Sequence, residues 1–298
     1  MKSRRLPLTS IIALTILSTV MLATAFGPVV SSYDSESIDW EHLEQPPSLS
    51  HWFGTDVIGR DLFVRTMEGA RISFTVALLT TVVSLSIGIP WGAVAGLLGG
   101  AVDQLMMRIV DGIYCLPGLL IVILLVVLFG QNQYILFAGL GMISWLNIAR
   151  IVRAQTLRLR QSPFIQAAKG LGASTPQIVI KHVLPNMIGP IIVYSTLMIP
   201  GVILAESFIS FLGLGIQEPN TSWGVLVSDG TQTMESSPWI LIFPGLCLAL
   251  TVWCLNTLGD TMRDRLDPTS AERRGVTRPE PARNHFPCPL EQRSFVAT

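Results

Sequence analysis

The apolar residues of this chain fall in long blocks, separated by shorter polar segments, rather than in one stripe per helical turn. A helix needs about 20 mostly apolar residues to cross a bilayer. Most of the blocks approach or exceed this length, and the fourth is the shortest. We assign six blocks, at about 6–28, 72–98, 109–130, 134–150, 187–214 and 238–258. The pattern therefore predicts an all-α integral membrane protein with six transmembrane helices.

The blocks divide the chain into four segments. Residues 1–28 form the N-terminus and first transmembrane helix, and 29–71 a loop outside the cell membrane. Residues 72–262 carry five further helices and a polar loop at 151–186, and 263–298 form a polar tail predicted to be disordered. The first block resembles a signal peptide, but its apolar run of about 20 residues is too long for one. We therefore expect an uncleaved first helix.

Charge predicts the orientation of these helices. Charged residues make up only 13% of the chain, against about 25% in soluble domains. With the N-terminus inside, 17 of the 20 basic residues lie on the inner side, and only Arg60, Arg65 and Arg71 lie outside. Basic residues accumulate on the cytoplasmic side of membrane proteins. Both termini of this multi-pass membrane protein are therefore predicted to be cytoplasmic.

Motifs for catalysis and cofactor binding are missing from the sequence. There is no phosphate-binding Gly-x4-Gly-Lys-Ser/Thr loop, no His-Glu-x-x-His, no Gly-x-Ser-x-Gly and no Cys/His cluster with zinc spacing. We therefore predict no catalytic, cofactor-binding or metal site in this chain, and no enzyme activity of its own. The arginines of the tail are better explained as solvated and cytoplasmic than as a nucleic-acid site.

The polar segment Ser162–Asn186, here called the helical loop, is the most distinctive part of the chain. Ser162-Pro163 and Thr175-Pro176 each place a hydroxyl before a proline, which favours the start of a helix. Gly170 and Gly172 favour a stop between the two helices. The loop is therefore predicted to form two short helices on the cytoplasmic face.

The composition of the helical loop favours a docking role. Phe164, Ala168 and Leu171 share one helix face by spacing, and Ala167 adds a second small residue. The second helix carries Ile178, His182 and Pro185 at similar spacing. A short helix with small central residues fits a groove of a partner. The alternative is an ordinary loop that packs on its own bundle, which predicts no special composition.

Three residues of the fifth block are candidates for a transport pathway or gate. Glu206 is the only ionisable residue deep within a block, and a lone carboxylate in hydrocarbon is costly. It either lines a path or is a structural group satisfied by Ser207, Ser210 or a neighbouring subunit. Pro200-Gly201 predicts a broken helix whose outer half, 204–215, forms an outer gate. Both readings of Glu206 remain open at this point.

Other residues of the blocks are predicted to serve packing or membrane anchoring. Six residues in or directly after the second block are predicted to allow close helix packing: Gly88, Pro90, Gly92, Gly96, Gly99 and Gly100. Trp223 and Trp239, which flank the last outer loop, are predicted to belong to an interfacial aromatic belt.

The helical loop also carries a family signature. Gln166-Ala167-Ala168, Gly172 and Leu184-Pro185 resemble the EAA, Gly and Leu-Pro signature of ABC-importer permeases. Further similarity runs from about Trp52 to Pro268 and includes these motifs: Phe53-Gly54-Thr55-Asp56, Gly59-Arg60-Asp61, Ser144-Trp145-Leu146, Glu206-Ser207-Phe208, Ser222-Trp223-Gly224 and Asp267-Pro268. The chain resembles the peptide/nickel subgroup of these permeases, and within it the C subunits of oligopeptide permeases.

The resemblance implies one half of a translocation pathway in an ATP-driven, binding-protein-dependent importer of oligopeptides. Dipeptides, nickel, glutathione or another small solute are the alternative cargoes. The implied partners are a second homologous permease, two ATPase subunits that bind the ATP, an extracytoplasmic binding protein and membrane lipid. The implied coupling residues are Phe164, Gln166, Ala167, Ala168, Gly172, His182, Leu184 and Pro185. Gln166 and His182 depart from the family pattern, in which Glu and Ile are usual.

Overall fold

A computed structural model describes residues 7–31 and 33–266 of the chain. The predicted disordered tail falls almost entirely on residues 267–298, outside the described residues. The described chain forms helices joined by turns and loops, in this order: α1 Leu8–Val30, α2 Leu62–Leu98, α3 Gly100–Tyr114, α4 Gly118–Phe129, α5 Gln133–Arg160, α6 Pro163–Gly170, α7 Thr175–Ile178, a π-helical turn Val179–Val183, α8 Leu184–Phe211, α9 Trp223–Gln232 and α10 Trp239–Leu266. The all-α prediction is confirmed.

Five of the six predicted spans are single stretches long and apolar enough to cross a membrane. They are α1, α2, α5, the continuous segment Thr175–Phe211 and α10. The third predicted span, 109–130, is instead a pair of helices, α3 and α4, bent by 72°. Pro117 follows the end of α3, and a proline disfavours helical geometry in the residue before it. The 12 residues of α4 rise only about 18 Å, less than the hydrocarbon thickness of about 30 Å.

Three spans extend well beyond their predicted ends. Helix α5 runs to Arg160 rather than to residue 150, so the first ten residues of the predicted polar loop 151–186 are part of this helix. Helix α2 begins at Leu62 rather than near residue 72, because the carboxylate of Asp61 accepts a hydrogen bond of 2.9 Å from the backbone N–H of Val64. Helix α10 runs to Leu266 rather than to residue 258. About ten residues of the predicted outer loop 29–71 are therefore helical, and the loop proper ends at Asp61.

Helices α2 and α5 pack extensively against each other, and three glycines allow their close approach. A Cβ atom on Gly92 would lie 2.3 Å from the carbonyl oxygen of Ala149. Added Cβ atoms on Gly88 and Gly96 would lie 2.7 Å from side-chain carbons of α5. The spacing of four residues places all three on one face, as in the small-xxx-small pattern of membrane helices. The predicted packing role is confirmed for these three glycines. It is wrong for Pro90 and Gly100, which are exposed, and Gly99 forms the junction between α2 and α3 with φ of 67°.

Helix α8 runs without interruption from Leu184 to Phe211. The predicted break at Pro200-Gly201, with 204–215 as a separate outer half, is therefore wrong. A proline removes one backbone hydrogen bond, and neighbouring helices can hold a membrane helix together across that gap. Pro200 is buried against its neighbours while Gly201 is exposed, and α8 packs on α10, α2 and α9. Packing on these helices explains why α8 continues across Pro200.

Candidate functional site

Helix α6 forms the first half of the helical loop. It begins at Pro163, where a missing N–H costs nothing, and ends at Gly170. Gly172 follows with φ of 80°, a left-handed conformation that favours glycine. The hydroxyl of Ser162 does not cap the helix. It donates instead to the carbonyl of Leu159, at 2.5 Å, so the predicted start is confirmed but not its hydrogen bond.

The second half of the helical loop differs from its prediction in two respects. Ser174 rather than Thr175 precedes the helix, and the side chain of Gln177 accepts a 2.9 Å hydrogen bond from the Ser174 N–H. Helix α7 then continues through the π-helical turn into α8, so the predicted second short helix is the first part of a long span.

Two isoleucines anchor the helical loop against the helix bundle. Ile165 of α6 and Ile178 of α7 are 0% and 2% exposed. They join one apolar cluster with residues of three spans: Ala93 and Leu97 of α2, Ile148 and Val152 of α5, and Met187 of α8. Ile178 is therefore an anchor rather than a surface residue, contrary to its predicted place on the docking face.

The outward side of the loop carries three apolar residues, here called the loop surface: Phe164, Ala167 and Leu171. Phe164 is 42% exposed, Leu171 is 89% exposed and Ala167 is also exposed. Ala168 is half-buried and packs against the apolar cluster, so Ala167 replaces it on the accessible side. The ring of His182 lies 6.3 Å from that of Phe164. Of the other candidates, Leu184 is half-buried and Pro185 is exposed.

Gln166 holds α6 against the end of α5. Its side-chain nitrogen donates a 2.9 Å hydrogen bond to the backbone carbonyl of Arg160, the last residue of α5. The last carbonyls of a helix lack partners within it and need outside donors. A glutamate, the residue usual in the resembled family, has no donor when ionised. The departure at Gln166 therefore has a structural consequence that the sequence did not reveal.

Glu206 lies at the centre of a buried polar cluster between α2 and α8. It is 0% exposed. One carboxylate oxygen accepts hydrogen bonds from Ser73 of α2 at 2.9 Å and Ser207 at 3.4 Å, and the other accepts from Ser210 at 2.8 Å. Buried charged groups are tolerated when hydrogen bonds satisfy them. In this single chain Glu206 faces the bundle interior and is inaccessible to solvent.

Helix α9 packs its first turn beside this cluster. Trp223 is fully buried and its indole N–H donates to the carbonyl of Thr66, at 3.1 Å. Its predicted place in an interfacial belt is therefore wrong. A Cβ atom on Gly224 would lie 2.3 Å from the carbonyl oxygen of Ser207, so only glycine allows α9 to approach α8 this closely. The cluster thus joins three helices.

The outer loop is held by ion pairs that sequence reasoning did not assign. Asp56 accepts hydrogen bonds from the side chains of Arg60, at 2.7 Å, and Arg65, and Arg60 also pairs with Glu218 at 2.9 Å. Burial acts to raise the pKa of Asp56, but the two arginines outweigh it and lower the pKa below 3.8. These pairs join the loop before α2 to the loop after α8.

A second set of ion pairs joins α3 to α5. Arg153 donates two hydrogen bonds to Asp103, at 2.5 and 2.6 Å, and Arg150 pairs with Asp111 at 2.8 Å. The guanidinium of Arg150 also lies 4.1 Å from the ring centre of Tyr114. These four charged residues lie between apolar blocks or at the ends of blocks, and their pairing across 39 and 50 residues required the fold.

Comparison with known proteins supports a transport role for this architecture. A family model described as binding-protein-dependent transport system inner membrane component matches residues 88–271. The oligopeptide transport system permease protein OppC of Haemophilus influenzae is 46% identical over 261 residues, which cover 87% of this chain and 84% of that protein.

Two further relatives extend this result. The oligopeptide transport system permease protein OppC of Escherichia coli K12 is 46% identical over 261 residues, which cover 87% of this chain and 86% of that protein. The dipeptide transport system permease protein DppC of Bacillus subtilis is 44% identical over 254 residues, which cover 85% of this chain and 79% of that protein. The resemblance inferred from the motifs is thereby confirmed. With its apolar spans and helical loop, the chain belongs to the family of inner membrane components of binding-protein-dependent transport systems, as a multi-pass permease subunit.

Proposed function

We propose that this chain is one of two permease subunits of an ATP-driven importer that carries oligopeptides. The observation that carries the proposal is the helical loop, which is anchored in three spans and exposes an apolar surface. The names of the similar permeases support a peptide cargo, with oligopeptides favoured by two relatives and dipeptides by one. Mass spectrometry of ligand that co-purifies with the complex separates these cargoes from nickel or glutathione.

In this proposal the helical loop receives the motion of an ATPase subunit. Phe164, Ala167 and Leu171 dock on the ATPase, which binds and hydrolyses ATP, so this chain needs no cofactor of its own. Because Ile165 and Ile178 fix the loop to the helix bundle, ATPase closure moves the spans as rigid bodies. A second homologous permease, a second ATPase subunit and an extracytoplasmic binding protein complete the assembly.

The orientation required by this proposal has both termini and the helical loop in the cytoplasm. The distribution of basic residues supports it. A cysteine introduced at Ser35 should react with an impermeant maleimide in intact cells, whereas one at Ser162 should not. The reverse pattern would place the helical loop outside and remove it from any cytoplasmic ATPase.

The docking role is tested by Ala167→Arg. An arginine on this exposed position leaves the buried anchors in place but puts a bulky charge into the loop surface. We expect transport to fall at least about tenfold, because burying an unpaired charge at an interface costs well over 1.4 kcal/mol. Membrane level and thermal stability of the chain should remain those of the wild type.

The matched control is Gln161→Arg, which adds the same charge to an exposed residue next to the helical loop but outside the loop surface. It should leave transport unchanged. Disulfide cross-linking of a cysteine at residue 167 to cysteines placed across the ATPase surface gives an independent readout. Normal transport by the Ala167→Arg complex would show that this surface does not dock.

A further inference from the structure

A polar cleft of about 330 Å³ lies between two connections that join the ends of spans. One wall is formed by residues 131–134, between α4 and α5, and the other by residues from 216 to 220, between α8 and α9. The proposed orientation puts both connections on the extracytoplasmic face. A cleft of this volume falls at the lower end of the range that holds small ligands.

The lining of the cleft is dominated by carboxamide groups, five in all: Gln131, Asn132, Gln133, Gln217 and Asn220. Each carboxamide offers both hydrogen-bond donors and an acceptor. Gln131 and Gln217 each donate to the carbonyl of Gly213, at 3.2 and 3.4 Å, which fixes both side chains at the wall. The side chains of Gln133 and Asn220 make no hydrogen bond within the described part of the chain.

The cleft carries little net charge, because its one carboxylate is paired with arginines. Glu218 is the one ionisable acid in the lining, and its carboxylate is paired with Arg60 at 2.9 Å and with Arg65 at 3.5 Å. These pairs hold Glu218 in place and offset its charge. The cleft therefore suits a ligand with many neutral donors and acceptors better than a free ion.

We propose that this cleft binds the main chain of the transported peptide at the outer face of the permease. A peptide main chain presents one N–H donor and one C=O acceptor per residue, whatever its side chains. Carboxamides pair with both groups, so the cleft accepts peptides of differing sequence. The proposal rests on the proposed function and adds to it a subsite with free donors and acceptors at Gln133 and Asn220.

The test uses the complete transporter with its binding protein and a tetrapeptide that carries a benzophenone side chain. The Gln133→Leu/Asn220→Leu variant removes the two free carboxamides and breaks no hydrogen bond of the described chain. Gln232→Leu is the control, since Gln232 is an exposed glutamine of the same face outside the cleft. After irradiation, mass spectrometry locates the adducts on the permease.

We expect wild-type and control adducts within 131–134 and 216–220. In the double variant their yield at subsaturating peptide should fall about tenfold, as the loss of one or two net hydrogen bonds implies. A tetrapeptide with N-methylated main-chain nitrogens should lose yield in the same way. Peptide adducts elsewhere on the permease, unchanged yield in the double variant, or peptide adducts on the binding protein alone would overturn the proposal. In all three cases normal wild-type uptake would leave the proposed function standing.

Discussion

Replacing Gly92 by alanine tests whether the contact between α2 and α5 sets the stability of the membrane core. The new Cβ would lie 2.3 Å from the carbonyl oxygen of Ala149 and 2.8 Å from Cβ of Val152. Ordinary contacts begin at about 3.4 Å, so the helices must separate locally by about 1.1 Å. The obstacle is backbone, which cannot turn away as a flexible side chain can.

The expected loss of stability in Gly92→Ala follows from the packing on either side of this contact. A gap of 0.5–1 Å loses a quarter to a half of the attraction between facing atoms, and overpacking typically costs about 1–3 kcal/mol. Alanine gains at most about 1 kcal/mol over glycine in helix propensity. Because the facing atom is a carbonyl oxygen, the steric term exceeds this gain, and we expect a net loss of about 1–2 kcal/mol.

The matched control is Gly201→Ala in α8, where an added Cβ would meet nothing within 4 Å. Here the propensity gain acts alone, so stability should be unchanged or slightly raised. Thermal unfolding of both variants in detergent, followed by size-exclusion chromatography after heating, measures the difference. A midpoint for Gly92→Ala equal to or above that of Gly201→Ala would refute the packing argument.

Three further predictions concern polar contacts. Gln166→Glu should reduce transport several-fold without loss of membrane insertion, because the side chain can no longer donate to the Arg160 carbonyl, and uptake normalised to assembled complex measures this. Glu206→Leu should lower the yield of folded chain, because the hydroxyl of Ser73 and its neighbours would lose their acceptor at a cost of about 1–3 kcal/mol each. Glu206→Gln should fold nearly normally. Equal yields of the folded Leu and Gln variants would contradict a structural role for Glu206. The pKa of Asp56 is lower in the folded chain, so its contribution to stability is complete above about pH 4 and is lost as the pH falls further. Unfolding midpoints between pH 7 and 3 should therefore decline more steeply in the wild type than in Asp56→Asn.

The sequence determined where the chain can cross a membrane and which family it belongs to. Backbone groups in hydrocarbon must bond within their own helix, so a long apolar block admits essentially one local structure. The start of α6 at Pro163 was also predictable from local sequence. The start of α2 has an equally local cause, the Asp61 cap, but the hydrophobic pattern placed it ten residues too late. The glycine spacing in α2 likewise predicted a close contact from local sequence.

Tertiary structure decided how two prolines act. Pro117 follows the end of α3 and separates it from α4 at a bend of 72°, whereas Pro200 lies in an unbroken α8. A proline removes the same backbone hydrogen bond at both sites, so local sequence does not distinguish them. The difference lies in the surroundings, since Pro200 is buried against neighbouring helices and Pro117 is exposed.

The candidate site was also located partly by the sequence and partly only by the fold. The sequence located the helical loop, but only the fold showed that Ala168 faces the core while Ala167 faces outward. The sequence also marked Glu206 as unusual, but one hydrogen-bond donor to its carboxylate, Ser73, lies 133 residues earlier in the chain. A contact across such a distance leaves no local pattern, because it depends on which helices pack side by side.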